Sequence, residues 1–130
     1  MEILPLAYKY KDLIVWQKAK ALAANVYRIT ESFPKCETYG LTCQARRAAV
    51  SVVSNIAEGQ GRLTVGEFEH FLGMSRGSLL ELETQLAIAV DLHYLTSERL
   101  KQLETESREI LRLLNGLINS LRVRKAAVKN

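Results

Sequence analysis

Apolar residues recur at three- and four-residue intervals in four long stretches of this chain, and that period most constrains what it can fold into. A half-buried strand needs alternation, whereas this spacing places side chains on one face of a helix. Leu13, Trp16, Ala19, Leu22, Ala23, Val26 and Tyr27 mark the first stretch. Leu41, Ala45, Ala48, Val52 and Ile56 mark the second. Phe68, Phe71, Leu72, Leu79, Leu82, Leu86 and Ala89 follow, then Leu100, Leu103, Ile110, Leu114, Leu117 and Leu121.

Local signals set the expected boundaries. Asp12 is the expected N-cap of a helix reaching about Ser32. Pro34 stops it, because proline has no amide proton to donate. The second helix is expected over about Thr38 to Glu58, with Gly59 and Gly61 ending it in a left-handed cap. Thr64, with Glu67 three positions later, has the pattern of a capping box. The fourth helix begins near Ser97 and continues through a weak spot at Asn115-Gly116. Within it Glu104, Arg108 and Arg112 are spaced for an exposed charge ladder. The connections are short, so sequential helices should be antiparallel neighbours. The expectation is an all-α, antiparallel up-down-up-down four-helix bundle. It forms a single domain over 1–130, with an N-terminal arm over about 1–11 and a basic tail over about 122–130 that frays.

A chain of 130 residues, 48% apolar and 25% charged, suits one domain with a core that needs neither metal nor disulfide. Its two cysteines are Cys36 and Cys43, and no segment has the makeup of a signal peptide. Nor does any window approach the roughly 18 apolar residues of a membrane span. These features point to a cytoplasmic protein with reduced thiols, no membrane partner, no bound metal and no cofactor.

The net charge of +4 is unevenly spread. Residues 63–95 carry one basic and five acidic side chains, whereas residues 96–130 carry eight and four. Such asymmetry fits helix faces or subunits that complement one another, or a basic surface for phosphates. Arg46 and Arg47 lie in a helix that is otherwise small and apolar, where Arg47, Ser51, Ser54 and Glu58 share a face. They are read either as salt-bridge partners of an acid on the third helix, within the chain or between subunits, or as phosphate contacts. Arg62, beside the start of the third helix, is placed to attract an anion. Apolar positions between Ile110 and Leu121 span about 160°, wider than the roughly 100° of a core stripe. Ile14, Val15, Ala21 and Ala24 also lie off the stripe of their helix. This surplus is read as contact between subunits.

Several motifs imitate catalytic ones. Gly73-Met74-Ser75-Arg76-Gly77 matches a nucleophile elbow, with Asp91 and His93 following in hydrolase order. That chemistry requires a strand-to-helix turn that exposes the serine. Here the segment falls inside a helix, so small residues permitting close helix contact explain it better. Gly59-Gln60-Gly61 lacks the strand and the lysine of a phosphate loop. His70 and His93 are isolated, and His93, near the core stripe, is read as a structural histidine. No catalytic residue is assigned.

The run from Arg46 to Gly59, Arg-Arg-Ala-Ala-Val-Ser-Val-Val-Ser-Asn-Ile-Ala-Glu-Gly, carries a resemblance. With Asp12-Leu13-Ile14-Val15-Trp16-Gln17-Lys18-Ala19, Phe33-Pro34, Glu37, Tyr39-Gly40-Leu41, Gln44, Phe68 to Leu72 and Gly77 to Leu86, it resembles the bacterial four-helix bundle family named for proteins encoded in intervening sequences of 23S ribosomal RNA genes. Arg47, Asn55, Ile56, Ala57, Glu58 and Gly59 match the family motif. The resemblance covers about residues 10 to 121. It departs at Ser75-Arg76, where family members often carry alanine and lysine. It implies a bundle that assembles with copies of itself as a ring, commonly a pentamer, with no enzymatic activity. The chain is also similar to the accessory variability determinant of diversity-generating retroelements, a basic pentamer that works with a reverse transcriptase and RNA. The expected function is therefore a non-enzymatic homo-oligomer that associates with RNA or a nucleoprotein partner. The candidate contacts are Arg46, Arg47, Arg62, Arg108, Arg112, Arg122, Arg124 and Lys125. The alternative is a structural or protein-interaction module whose charges serve assembly alone.

Overall fold

A computed structural model describes residues 9–129, with side chains through 127. The arm expected over about 1–11 falls outside the described residues for positions 1–8, as does Asn130 of the tail. A 3₁₀ turn, Tyr10–Asp12, precedes four helices: α1 (Ile14–Thr30), α2 (Leu41–Gln60), α3 (Val65–Asp91) and α4 (Ser97–Lys129). A second 3₁₀ turn, Lys35–Glu37, lies between α1 and α2.

Each helix packs against its sequential neighbours, α1 also meets α4, and the diagonal pairs α1/α3 and α2/α4 stay apart. Cross-helix bonds fix the directions. Ser51 pairs with Ser78 and Val52 with Ser75; Glu69 reaches Arg122, whereas Glu83 reaches Ser107. Partner numbers fall as residue numbers rise, so α2/α3 and α3/α4 run antiparallel. Lys18–Glu109 and Asn25–Glu106 do the same for α1/α4. The expected bundle is the observed one.

The core follows the apolar period. Leu22, Val26, Val52, Ile56, Leu72, Leu79, Leu82, Ile110 and Leu114 are fully buried. Leu111, Leu113 and Leu117 pack against them, so the wide apolar arc of α4 is used within this chain. Val15 is also buried, whereas Ile14 remains 60% exposed and Tyr27 is 43% exposed despite its place in the stripe. Further exposed apolar side chains lie on α3 and its cap: Met74, which lines the cleft toward α4, and Leu80, Ile88 and Leu92.

Several helix ends differ from expectation. Asp12 sits in the 3₁₀ turn, and Leu13 occupies the N-cap of α1 without a side-chain bond. The Glu37 carboxylate serves the start of α2. Oε1 accepts from the Leu41 amide at 3.1 Å, and Oε2 accepts from the Tyr94 hydroxyl at 3.0 Å. The hydrogen bond to Glu37 raises the Tyr94 pKa. Gly40 makes room for this arrangement, because a Cβ there would stand 2.5 Å from Glu37 Oε1.

Gly59 is not a cap. It is a buried residue within α2, and Gly61 closes the helix with φ −76° in the right-handed region. Thr64 does cap α3, its Oγ1 accepting from the Glu67 amide at 3.2 Å. His93, expected near the core, is exposed with φ 64°. Its amide bonds the Val90 carbonyl and the Tyr94 amide bonds the Ala89 carbonyl, the paired bonds of a Schellman cap. The Asn115-Gly116 step does not interrupt α4. The tail expected to fray stays helical to Lys129. No helix among the described residues is long and apolar enough to cross a membrane.

Candidate functional site

The residues singled out from the sequence divide into those the fold uses and those it leaves to solvent. Arg46 belongs to the fold. Its Nε donates to Thr30 Oγ1 at 2.8 Å and its Nη2 to the Tyr27 carbonyl at 3.2 Å. Its guanidinium lies 4.7 Å from the Tyr27 ring centroid. A cation at the last turn of α1 satisfies carbonyls that lack helical partners. Neither Arg46 nor Arg47 pairs with an acid of α3. Arg47 is exposed and has no hydrogen bond or ion pair among the described residues. Its expected companion Ser51 turns inward to Ser78, while Ser54 and Glu58 stay exposed.

Most of the motif around residues 55–59 is packing. Ile56 is fully buried. Asn55 Nδ2 donates to the Ser51 carbonyl at 2.8 Å and to Ser51 Oγ at 2.9 Å, and Ser51 in turn meets Ser78 across the seam. A Cβ on Gly59 would stand 2.6 Å from Phe71 Cβ and 3.1 Å from Phe68 Cδ1, so only glycine lets α2 and α3 cross this closely. Ala57 is half-buried. Glu58 pairs with Arg62 at 3.2 Å, and the Arg62 guanidinium lies 4.6 Å from the Phe71 ring. The anion-attracting role expected of Arg62 therefore competes with an internal partner. Ser75 is fully enclosed, and its hydroxyl donates to the Val52 carbonyl at 2.7 Å. It is a helix-to-helix fastener with no access to a substrate. Cys36 and Cys43 are free thiols.

The remaining cations gather along α4. Arg108, Arg112, Asn115, Asn119 and Arg122 recur every three or four residues, so they share one face over roughly 21 Å of helix. The expected Glu104–Arg108–Arg112 ladder does not form. Arg108 and Arg112 are exposed without an acidic partner among the described residues. Across from this face stands α3, and between the two helices runs a groove of about 630 Å³. Arg122 and Lys125 line it, joined by Arg76, His70, Asn115 and Asn119, none of which the sequence marks as a contact. Arg124, also on α4, is half-buried and is not among the lining residues.

One carboxylate lies in the groove. Glu69 Oε1 accepts from Arg122 Nε at 2.6 Å, and Oε2 lies 3.3 Å from Lys125 Nζ. The Arg122 hydrogen bond lowers the Glu69 pKa, burial opposes it, and Lys125 adds to the lowering. Arg76 has no partner among the described residues. The sequence does carry a signal for it: Arg76 is the single cation of the acidic stretch 63–95. The groove can hold anions through Arg76 and the unused donors of Arg122, but it offers no nucleophile with a base beside it. Among the described residues no three His, Cys, Asp or Glu side chains converge to hold a metal.

A protein-family model described as 23S rRNA-intervening sequence protein matches residues 11–116. No curated protein matches the chain. Among solved structures, it is similar to a protein of unknown function from the S23 ribosomal protein family of Bacteroides thetaiotaomicron. The TM-score is 0.73 at 22% identity, over 81% of this chain and 98% of that one. At that identity the likeness carries the fold alone.

Proposed function

The chain belongs to the 23S rRNA-intervening sequence protein family, and from that premise we propose that it is a non-enzymatic homo-oligomer, a ring of five bundles, that associates with RNA or a nucleoprotein through its basic surface. The observation that carries this reading is the row of cations along α4 and the facing edge of α3. Arg76, Arg108 and Arg112 have no acidic partner among the described residues, so the fold does not account for their charge. Phosphate contacts of this kind release counterions, and binding then falls as salt rises. The row offers no aromatic platform on which bases could stack, so phosphate contacts carry most of the affinity.

The deciding experiment titrates a structured RNA against the wild-type chain and an R76Q/R108Q/R112Q variant at two salt concentrations. Wild-type affinity should fall steeply with salt, and the variant should show a shallower dependence, by about 0.7 to 0.9 in the log–log slope for each phosphate it no longer neutralises. Absence of binding at low salt sinks the proposal.

The second reading, a module whose charges serve assembly alone, is favoured by the exposed Leu80 and Ile88 of α3 and by the internal pairing of Arg46, Arg62 and Arg122. Arg47 separates the two. If charges only join subunits, Arg47→Ala should dissociate the oligomer in light scattering. If they hold nucleic acid, the ring should stay intact and bind RNA more weakly.

A further inference from the structure

The α3/α4 groove has features that a simple track for phosphates does not need. Three cations and one carboxylate line it, Arg76, Arg122 and Lys125 against Glu69, which leaves a balance of +2. Glu69 engages Arg122 through Nε alone and Lys125 at 3.3 Å, so guanidinium donors of Arg122 and all those of Arg76 remain for an anion. Planar guanidinium groups suit a phosphate with two or more oxygens free.

Asn115 and Asn119 add a second chemistry. They stand one helical turn apart in the middle of α4 and line the same groove, and neither amide has a hydrogen-bond partner among the described residues. Asparagine is a poor residue for a helix interior, and here it contributes no bond to the fold. An idle carboxamide offers a donor and an acceptor side by side, the pattern that pairs with a purine edge.

The α3 wall shows the same lack of a structural reason. Gly66 and Gly73 line the groove, and a Cβ on Gly73 would meet nothing within 4 Å. Packing within the chain therefore does not call for glycine there, although glycine weakens a helix. What its absent side chain does provide is depth. The volume of about 630 Å³ falls in the range of roughly 300–1,000 Å³ typical of small-ligand sites.

We infer that the α3/α4 groove is a nucleotide site, holding a phosphate on Arg76 and Arg122 and an adenine edge on the carboxamides of Asn115 and Asn119. The inference rests on the proposed function only in taking such a nucleotide to be part of a polymer. A free mononucleotide tests the site by itself.

The test is calorimetric titration of the full chain with AMP, adenosine and inorganic phosphate, for wild type, Gly73→Leu and Arg76→Gln. Gly73→Leu fills the groove without altering charge, and Arg76→Gln removes charge at an exposed position that should leave folding intact. AMP should bind wild type at least about tenfold more tightly than adenosine or phosphate does, as expected when two sets of contacts act together, and each variant should lose about tenfold or more. No AMP binding to wild type overturns the site. So does phosphate binding as tightly as AMP, which would leave an adventitious anion only. A Gly73→Leu chain that binds AMP as well as wild type also overturns it. A change in mass of Gly73→Leu by light scattering would assign the groove to a second copy of the chain and overturn it as well. A parallel RNA titration separates this inference from the broader one. RNA binding that survives Gly73→Leu unchanged removes the nucleotide site and leaves the proposed function standing. AMP binding without RNA binding does the reverse.

Discussion

His93 takes the left-handed capping role expected of a glycine such as Gly59. His93 takes the left-handed position that ends α3, where a residue with a Cβ is strained, and its ring is exposed. His93→Gly should therefore stabilise the chain by about 1 kcal/mol, a rise of about 3–5 °C in melting temperature. A fall on thermal melting would show that the imidazole does something the backbone geometry does not reveal. Gly59, with the conformational freedom such a cap would use, serves a helix crossing instead. Gly59→Ala brings a methyl to 2.6 Å from Phe71 Cβ and should destabilise by about 1–3 kcal/mol in urea unfolding. Sequence alone misassigns both residues for one reason. A glycine after a helical stretch has a ready local explanation in a cap, whereas a crossing depends on the register of the partner helix. Ser75 is legible, because the missing strand already excludes an exposed nucleophile. Its bond to Val52 is not.

At the scale of the helices, the signals that are local in sequence are the ones that carry through. The Thr64 cap needs only residues 64–67 and forms as expected. Asp12 fails as a cap because the chain inserts a 3₁₀ turn before α1, moving the first helical turn beyond its reach. The end of α4 stays helical because Arg122 and Lys125 both reach Glu69 on α3, a tie invisible in a tail read alone. This tie has a pH signature. The partners lower the Glu69 pKa in the folded chain, so its contribution is present above the ordinary value near 4.5 and is lost as pH falls through the lowered one. Glu69→Gln should cost about 1 kcal/mol or less at neutral pH, since Arg122 is largely exposed and Lys125 partly so. The difference between variant and wild type should shrink as pH falls below 4.5 and vanish once the lowered pKa of the folded chain has been passed. A difference that persists there would mean that Glu69 acts through packing.

For the molecule as a whole, the four-fold repetition of the helical period and the short connections make the bundle legible. The surface is not. Arg76 and Asn115 are distant in sequence and line one groove only because α3 and α4 align antiparallel in one particular register. The surplus apolar surface is expected on α4 and α1; the core takes up that of α4, Ile14 of α1 stays exposed, and Leu80 and Ile88 of α3 are exposed as well, since the width of a core stripe depends on how far neighbouring helices close around it. If the proposed ring exists, Leu80 and Ile88 are the residues to bury in it. Leu80→Glu with Ile88→Glu should reduce the mass seen by light scattering to that of one chain, while helical content by circular dichroism stays unchanged. A wild-type mass retained by the double variant would place the contact on another face.

The unequal helix lengths bear on how the chain folds and opens. At 33 residues α4 is roughly 50 Å long, against roughly 26 Å for the 17 residues of α1. The far part of α4 therefore runs on where α1 has already ended. The α2–α3 hairpin, closed by the turn at residues 61–64 and drawn tight at Gly59, Ser51 and Ser75, joins segments near in sequence and carries the most extensive seam. The seam between α1 and α4 joins segments far apart and is the slightest of the four. Loop-closure entropy favours the hairpin as the early folding unit and leaves the docking of α1 on α4 to the end. In native-state hydrogen exchange, the amides of α1 should open at lower free energy than those at the centre of α2 and α3, so that the bundle behaves as a hairpin with a detachable first strut.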